Sequence, residues 1–402
     1  MGRIKELKPF VKIFITLIAV FFLSMVLVYC IPTSWIQENV EASVEIMESE
    51  GNYPMYFFYR HNSIMDVQTD KLMYESLITN RPEEYNVVEA SVSINQYPRY
   101  WHGYQVLLRP LSIVYQIQEV RYLGMLAFHL LLFWSAWLIA KRTKFSIAMI
   151  YVLTVCTGNI ALSSVCLQFL TTFLVLFVSL IILLSNYDKQ KAVRAMEFFF
   201  IVGMAENFFD FLTFPIVTLG IPLILLMWLR IRDEQADFKS NVWFMFKGSA
   251  AWGIGYALTW VTKWLIATVV LGVRYFWRTM DVVKFRLEGN EEYPLDRIGT
   301  IRKNLKSWLN IQDDGVISWS KVVILIVIVA LILIIWKKLK DIKTLSAYVP
   351  ILFVALYPYI WYLVMSNHSQ IHHWYTYRAQ LVTLFGGLIF IAGILREKNT
   401  KQ

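Results

Sequence analysis

Long apolar runs fill this chain, and most of them close on a cluster of Lys and Arg. Lys141, Arg142 and Lys144 follow Leu130 to Ala140, Lys189, Lys191 and Arg194 follow Leu180 to Ser185, and Arg230 and Arg232 follow Leu223 to Leu229. Lys337, Lys338, Lys340 and Lys343 follow Val322 to Trp336, and Arg396, Lys398 and Lys401 follow Leu388 to Leu395. About 20 apolar residues in a helix cross the hydrocarbon of a bilayer, and Lys and Arg gather at the cytoplasmic ends of such helices. The pattern predicts an all-α polytopic membrane protein.

Threading the runs through a bilayer predicts about ten transmembrane helices with both termini inside. A first helix spans 1–31, its apolar part about 10–31. An extracytoplasmic segment with interfacial helices follows over 32–120, then helices 2 to 7 over 121–271. These are placed at about 121–140, two in 145–185 with a turn near Gly158-Asn159, then 195–212, 214–230 and 246–268. Lys263 lies within the last of these, which is read as one span or a broken one. An amphipathic extracytoplasmic segment covers 272–319, and 320–402 holds helices 8 to 10 (about 320–336, 346–365 and 379–395) and a cytoplasmic tail.

Composition narrows the class. Hydrophobic residues make up 57 % of the 402 and mean hydropathy is +0.50, above an ordinary soluble domain. The net charge of +9 sits in short loops, as the positive-inside rule requires, so it predicts no nucleic-acid partner. Cys30, Cys156 and Cys166 lie in or beside apolar runs and form no CxxC pair. Neither GxxxxGK[ST] nor GxGxxG occurs, which argues against ATP chemistry in the inner loops. Chemistry is therefore expected at the outer membrane–water interface, where His61, His102, His368, His372 and His373 are placed; His129 falls within helix 2.

Within the first outer segment, 33–50 reads as a helix with an apolar stripe (Ile36, Val40, Val44, Met47) and a polar face (Glu38, Glu41, Glu45, Glu48), stopped by Gly51. Such a helix can lie on a membrane surface. A second helix is expected from Ser63 to about Thr79. Asp66 and Asp70 stand four apart on it and share a face, which suits a general base or a metal; an acid in the first turn beside one facing water is the plainer reading. Arg99, Tyr100, Trp101, His102, Tyr104 and Arg109 mix aromatics with cations, as an interfacial belt or a phosphate or sugar site would.

Ionisable groups inside a membrane usually face an internal cavity. Glu206 and Asp210 stand four apart at the outer end of helix 5, and Lys263 sits between tryptophans. Glu197, near the inner end, reads as a snorkelling side chain. The short outer loop 366–378 is the densest in functional side chains. His368 and His372 at i,i+4 would fit a metal if helical, although the loop supplies no carboxylate; with Arg378 they would bind a phosphate.

The blocks Tyr100-Trp101-His102-Gly103-Tyr104 with Leu108-Arg109-Pro110, Phe209-Asp210-Phe211-Leu212-Thr213, Gly255-Tyr256 with Lys263-Trp264, and Asn367-His368-Ser369 with Thr376-Tyr377-Arg378 resemble those of a family of uncharacterised bacterial multi-pass membrane proteins. The architecture is also similar to the GT-C superfamily of integral-membrane glycosyltransferases. That resemblance implies transfer of a sugar from a polyprenyl-phosphate carrier at the outer leaflet of the bacterial cytoplasmic membrane, with an acid of the first outer segment as base. The chain departs from the pattern in that its first acid after helix 1 is Glu38 and not an Asp.

These readings combine into one expectation. A membrane glycosyltransferase takes its sugar from a polyprenyl-phosphate carrier to a cell-envelope glycan acceptor, with Asp66 or Asp70 as base and Asp210 as the alternative. Lys263, Arg378, His368 and His372 hold the phosphate, with Arg99, His102 and Arg109 behind them. The residues name no cofactor for certain, and a divalent metal shared by carboxylate and phosphate is compatible with the arrangement. A transporter or flippase for a lipid-linked or small anionic substrate, and a non-catalytic envelope assembly protein, are the rival readings.

Overall fold

The computed structural model describes residues 2–56, 61–79, 86–94, 98–187, 194–272, 275–311 and 342–395. Among them, apart from one isolated bridge between Met55 and Ile64, every regular element is helical. Among the described residues, six segments are long and apolar enough to cross a bilayer: Leu7–Tyr29, Ile117–Arg142, Leu167–Ser185, Phe238–Leu271, Leu345–Val364 and His373–Ile394. The chain is a multi-pass membrane protein. The expected eighth helix, 320–336, lies outside the described residues, as do Lys189, Lys191, Lys337, Lys338, Lys340, Arg396, Lys398 and Lys401.

Helix α1 (Gly2–Tyr29) shows why a bilayer is required. Val11, Ile15, Leu23 and Leu27 are exposed, while Phe21, Met25 and Tyr29 turn inward. An uncovered stripe of large aliphatics along a helix marks a face meant for hydrocarbon. The pattern repeats on α6 (Ile117–Arg142), where Tyr122, Leu126, Leu130, Phe133 and Trp137 face outward.

Between α1 and α6 lie four helices: α2 (Thr33–Glu50), α3 (Val67–Thr79), α4 (Val87–Ser93) and α5 (Gln105–Leu111). The stripe of α2 is buried at Ile36, Val40 and Met47, and its glutamates are exposed, as the spacing predicts. That stripe packs on α3 and α6, so protein covers it. The second helix begins at Val67 and not at Ser63, because the Asp66 carboxylate accepts the Thr69 amide at 2.9 Å and sets the N-terminus there.

The 145–185 stretch turns where expected, at residues 157–159, with Asn159 left-handed at φ 57°. Its first arm, α7 (Phe145–Cys156), has 12 residues and reaches only about 18 Å, short of a full crossing. After α8 (Ile160–Ser163), α9 (Leu167–Ser185) makes the return. Helix α10 (Ala195–Phe209) is followed by α11 (Ile216–Glu234), in which every residue from Ile216 to Leu229 is buried. This central helix is sheathed by α9, α10, α12 (Phe238–Leu271), α15 (Ile342–Ala355) and α19 (Gln380–Ile394). Helix α12 runs unbroken through Lys263. It seats closely on α10, since a β-carbon at Gly203 would run into the Trp252 carbonyl and one at Gly255 into that of Phe200.

Basic residues collect at one end of the bundle. Arg142 closes α6 and donates to the Leu184 carbonyl at the end of α9 (3.0 Å), while Arg232 at the end of α11 donates to the Arg142 carbonyl (2.6 Å). A guanidinium on the last carbonyls of a helix meets the negative end of its dipole. Beyond α12 come α13 (Tyr275–Glu288) and α14 (Arg297–Leu309), the latter capped by Asp296. They pack over α17 (Ser366–Ile371), which follows α16 (Tyr357–Val364); α18 (His373–Thr376) leads to α19.

Candidate active site

A cavity of about 250 Å³ is lined by residues from seven separate stretches of the chain. Asp66 enters from the start of α3, His102 and Tyr104 from the turn before α5, and Gln168 from the first turn of α9. Phe211 comes from the α10–α11 turn and Arg286 from the last turn of α13. His368 and His372 descend from α17 and its end, and Tyr53 and Tyr375 complete the wall.

Burial and partners set the charge of each group. Asp66 is 2 % exposed, and burial pushes its carboxyl up to about 6 against the pull of its hydrogen bonds to Thr69. His368 Nε2 lies 2.7 Å from the Leu212 carbonyl, so that nitrogen carries the proton and Nδ1 keeps its lone pair, with no partner. Arg286 Nη1 lies 3.1 Å from His372 Nε2, which must accept. Burial lowers both imidazoles, aided for His368 by His372 and Arg286 and for His372 by Arg286 and His373; His372 falls to about 3. Both rings are neutral at pH 7 and offer hydrogen bonds, not charge.

Another set of hydrogen bonds orders His102, which is left-handed at φ 58°. Ser76 gives its one proton to the Met73 carbonyl (2.7 Å), so Tyr104 gives its own to Ser76 (2.9 Å) and His102 Nδ1–H gives to Tyr104 (3.1 Å). Gly103 beside it allows the close approach of Phe208, whose carbonyl accepts the Gly103 amide at 2.9 Å.

The structure brings Asp66, His102, His368 and His372 to this cavity and leaves the remaining sequence candidates elsewhere. Asp70 is fully buried with its carboxylate on the Leu167 and Gln168 amides, both at 3.0 Å, and so caps α9. It neither faces water nor shares a free face with Asp66. Burial pushes it up to about 7, and the nearby Arg121 and the two amides pull it down. Asp210 accepts from Thr213 and Thr172, behind Phe211. Lys263 donates to the Val92 carbonyl at 3.0 Å, at the end of α4. Arg109 donates to the carbonyls of Val28, Ile31 and Leu77, tying the ends of α1 and α3 together. Arg378 donates to the Gly158 carbonyl and the Ser163 hydroxyl, both at 2.9 Å, with its guanidinium 4.1 Å from the Phe169 ring centre. Arg99 is half-buried, and its carbonyl accepts from the indoles of Trp260 (2.8 Å) and Trp264 (3.0 Å).

No family model, curated protein or solved structure matches this chain. The site therefore rests on its own geometry.

Sequence reading passed over Arg286, Gln168, Tyr53 and Tyr375. Nothing in Val282-Val283-Lys284-Phe285-Arg286 marks the arginine apart from Lys284. It reaches the cavity because α13 docks on α17, where the Asn367 amide donates to the Phe285 carbonyl at 2.9 Å. Gln168 is buried with Oε1 unpartnered, and a polar residue at the head of an apolar run was its only sequence signal. Among the described residues no group of three or more His, Cys, Asp or Glu could hold a metal.

Proposed function

We propose that the protein is a membrane transferase that moves a sugar from a polyprenyl-phosphate carrier to a hydroxyl of a cell-envelope acceptor, in the cavity lined by Asp66. One observation carries the reading. Among the described residues, a single carboxylate, a single guanidinium and three imidazoles from distant segments line one small cavity. Asp66 takes the acceptor hydroxyl's proton as the sugar bond breaks. Arg286 meets the phosphate as it gains charge, while His372 Nδ1–H donates to an oxygen and His368 Nδ1 accepts from a substrate hydroxyl. Tyr375 lines the same cavity and stacks on His372. Asp70, engaged as a cap, and Asp210, engaged by threonines, are not the base. Our reading is ten spans with both termini inside and the cavity on the extracytoplasmic side of a bacterial cytoplasmic membrane; six apolar segments and the arginines at one end of the bundle support it.

The test is mass spectrometry of lipid-linked sugars and envelope glycans in cells carrying the wild type or Asp66→Asn at equal expression. Accumulation of one polyprenyl-phosphate sugar together with loss of one glycan decoration is expected. Profiles identical to wild type overturn the assignment.

A second reading, an ion-coupled transporter, is favoured by one feature. Glu206 and Asp210 are buried, and neither forms an ion pair with Lys, Arg or His among the described residues. The Thr172 hydroxyl lies 3.0 Å from Glu206 Oε1 and 3.3 Å from Asp210 Oδ1, yet has one proton to give. Such a pair calls for a proton or cation from outside, as a coupling site would.

A further inference from the structure

A groove of about 630 Å³ runs between α6, α9 and α10. Its walls are almost wholly apolar: Leu131 on α6, Leu174 and Val178 on α9, Ile201 and Val202 on α10. It follows α10 from Phe209 to Arg194, about 22 Å at 1.5 Å per residue. The groove opens on the lipid-facing surface, where Val178, Ile182 and Ile201 are exposed, and in a bilayer a chain of hydrocarbon is what can fill it.

The groove does not end blindly. A chamber of about 280 Å³ shares Ile182, Arg194 and Phe198 with it and adds Arg230, Glu234 and Tyr187. Here the lining becomes ionic. Arg230 pairs with Glu234 at 3.2 Å. Arg194 is exposed and makes no ion pair among the described residues, and Glu197 stands one turn along α10. Among the described residues these four charges sum to zero, and neither Arg194 nor Glu197 forms an ion pair, leaving both to serve a ligand. The mouth also lies at the N-terminus of α10, whose amides favour an anion.

We propose that the groove and chamber together hold one zwitterionic phospholipid. An acyl chain lies along α10, the head-group phosphate meets Arg194, and a primary ammonium meets Glu197. This end of the bundle carries Arg142 and Arg232 as well, so the lipid belongs to the leaflet opposite the Asp66 cavity. The proposal does not depend on the transferase reading. The acyl chain fills the groove beside the packed α6 and α9, and dispersion contacts along it replace those that an empty space would forfeit.

The full chain, purified in mild detergent, would be examined by native mass spectrometry. It would then be reconstituted in nanodiscs of phosphatidylethanolamine, phosphatidylcholine or phosphatidylglycerol and re-extracted. One retained phosphatidylethanolamine per chain is expected, with about tenfold less retention of either other lipid, equivalent to about 1.4 kcal/mol. Arg194→Gln is expected to lower retention about tenfold, and Ala205→Phe, which fills the groove, to abolish it. Val178→Trp fills the groove from the α9 wall and serves if Ala205→Phe does not fold. Asp66→Asn should retain lipid as the wild type does, which separates this test from that of the transferase. Equal retention of all three lipids, or undiminished retention in a folded groove-filled variant, overturns the proposal.

Discussion

Arg286 donates a hydrogen bond to His372 Nε2 at 3.1 Å, and both side chains line the cavity that Asp66 enters. The bond fixes His372 as the neutral tautomer with its proton on Nδ1, and the ring stacks on Tyr375 with centroids 5.1 Å apart. A second proton on His372 would set two positive charges against each other, which is one reason its pKa falls to about 3. Among the described residues lining the cavity, Arg286 is the one arginine or lysine.

Arg286→Gln should lower turnover by about 10²- to 10³-fold, the cost of removing one preorganised charge from a developing anion. Arg286→Lys should restore little, because an ammonium cannot offer the paired donors of a guanidinium. Turnover of a purified, reconstituted variant on a polyprenyl-phosphate sugar measures this. A wild-type rate in Arg286→Gln would remove the arginine from the mechanism.

Asp66→Asn separates two roles of one side chain. Asparagine caps a helix about as well as aspartate, so the bond from the Thr69 amide survives and the melting temperature should stay within a few degrees of wild type. Loss of the base should reduce turnover about 10²- to 10⁴-fold. If turnover and melting temperature fall together only in Asp66→Ala, the residue is a cap and no more.

The pH dependence follows from the same carboxyl. As a base it works when ionised, so turnover should rise as pH climbs through about 6 and then level off. No falling limb should come from His368 or His372, which are already neutral there. The sign for stability is opposite. A carboxyl whose pKa is raised by folding binds its proton more tightly in the folded state, so its contribution is full near pH 4 and is lost as pH rises through about 6. His368 and His372, lowered by folding, contribute the opposite slope below about pH 6.5, so the readout is the difference: in chemical denaturation the wild type should lose more stability between pH 4 and 6 than Asp66→Asn does.

Asp70 should behave as a structural residue. Asp70→Ala strips two buried amides of their acceptor, at about 1–3 kcal/mol each. The variant should melt well below the wild type while its folded fraction turns over at the normal rate. A folded Asp70→Asn with wild-type stability and no turnover would return Asp70 to the chemistry.

The difference between Asp66 and Asp70 shows what the sequence made legible. The rhythm of apolar runs located α1, α6, α9 and α19, and the stripe at Ile36, Val40 and Met47 located α2, because helical periodicity is written within a few turns of chain. The four-residue spacing of Asp66 and Asp70 is equally local, but their partners are not. Asp70 finds the head of α9, 97 residues on, and Asp66 finds Arg286 and His372 across one cavity. Arg109, Lys263 and Arg378 read as cations for a phosphate, yet each donates to oxygens of the fold, backbone carbonyls and for Arg378 the Ser163 hydroxyl as well, where a buried charge needs oxygen around it. Tertiary packing made those choices, and no spacing records them.

Glu206→Gln decides between the two functional readings. The side chain keeps its volume and its bond with Thr172, and it removes one of two buried carboxylates with no basic partner among the described residues. Replacing a buried, unpaired ionisable group with a neutral isostere is often neutral or stabilising. For a transferase, Glu206→Gln should therefore leave turnover within about threefold of wild type, since Phe211 and not Glu206 lines the cavity. For a transporter coupled through this pair, the same variant should uncouple uptake of a labelled lipid-linked sugar into proteoliposomes from an imposed proton or sodium gradient. Turnover unchanged, with no gradient-driven uptake in the wild type, would leave the transferase standing. Gradient-driven uptake lost in Glu206→Gln would reverse the order of the two.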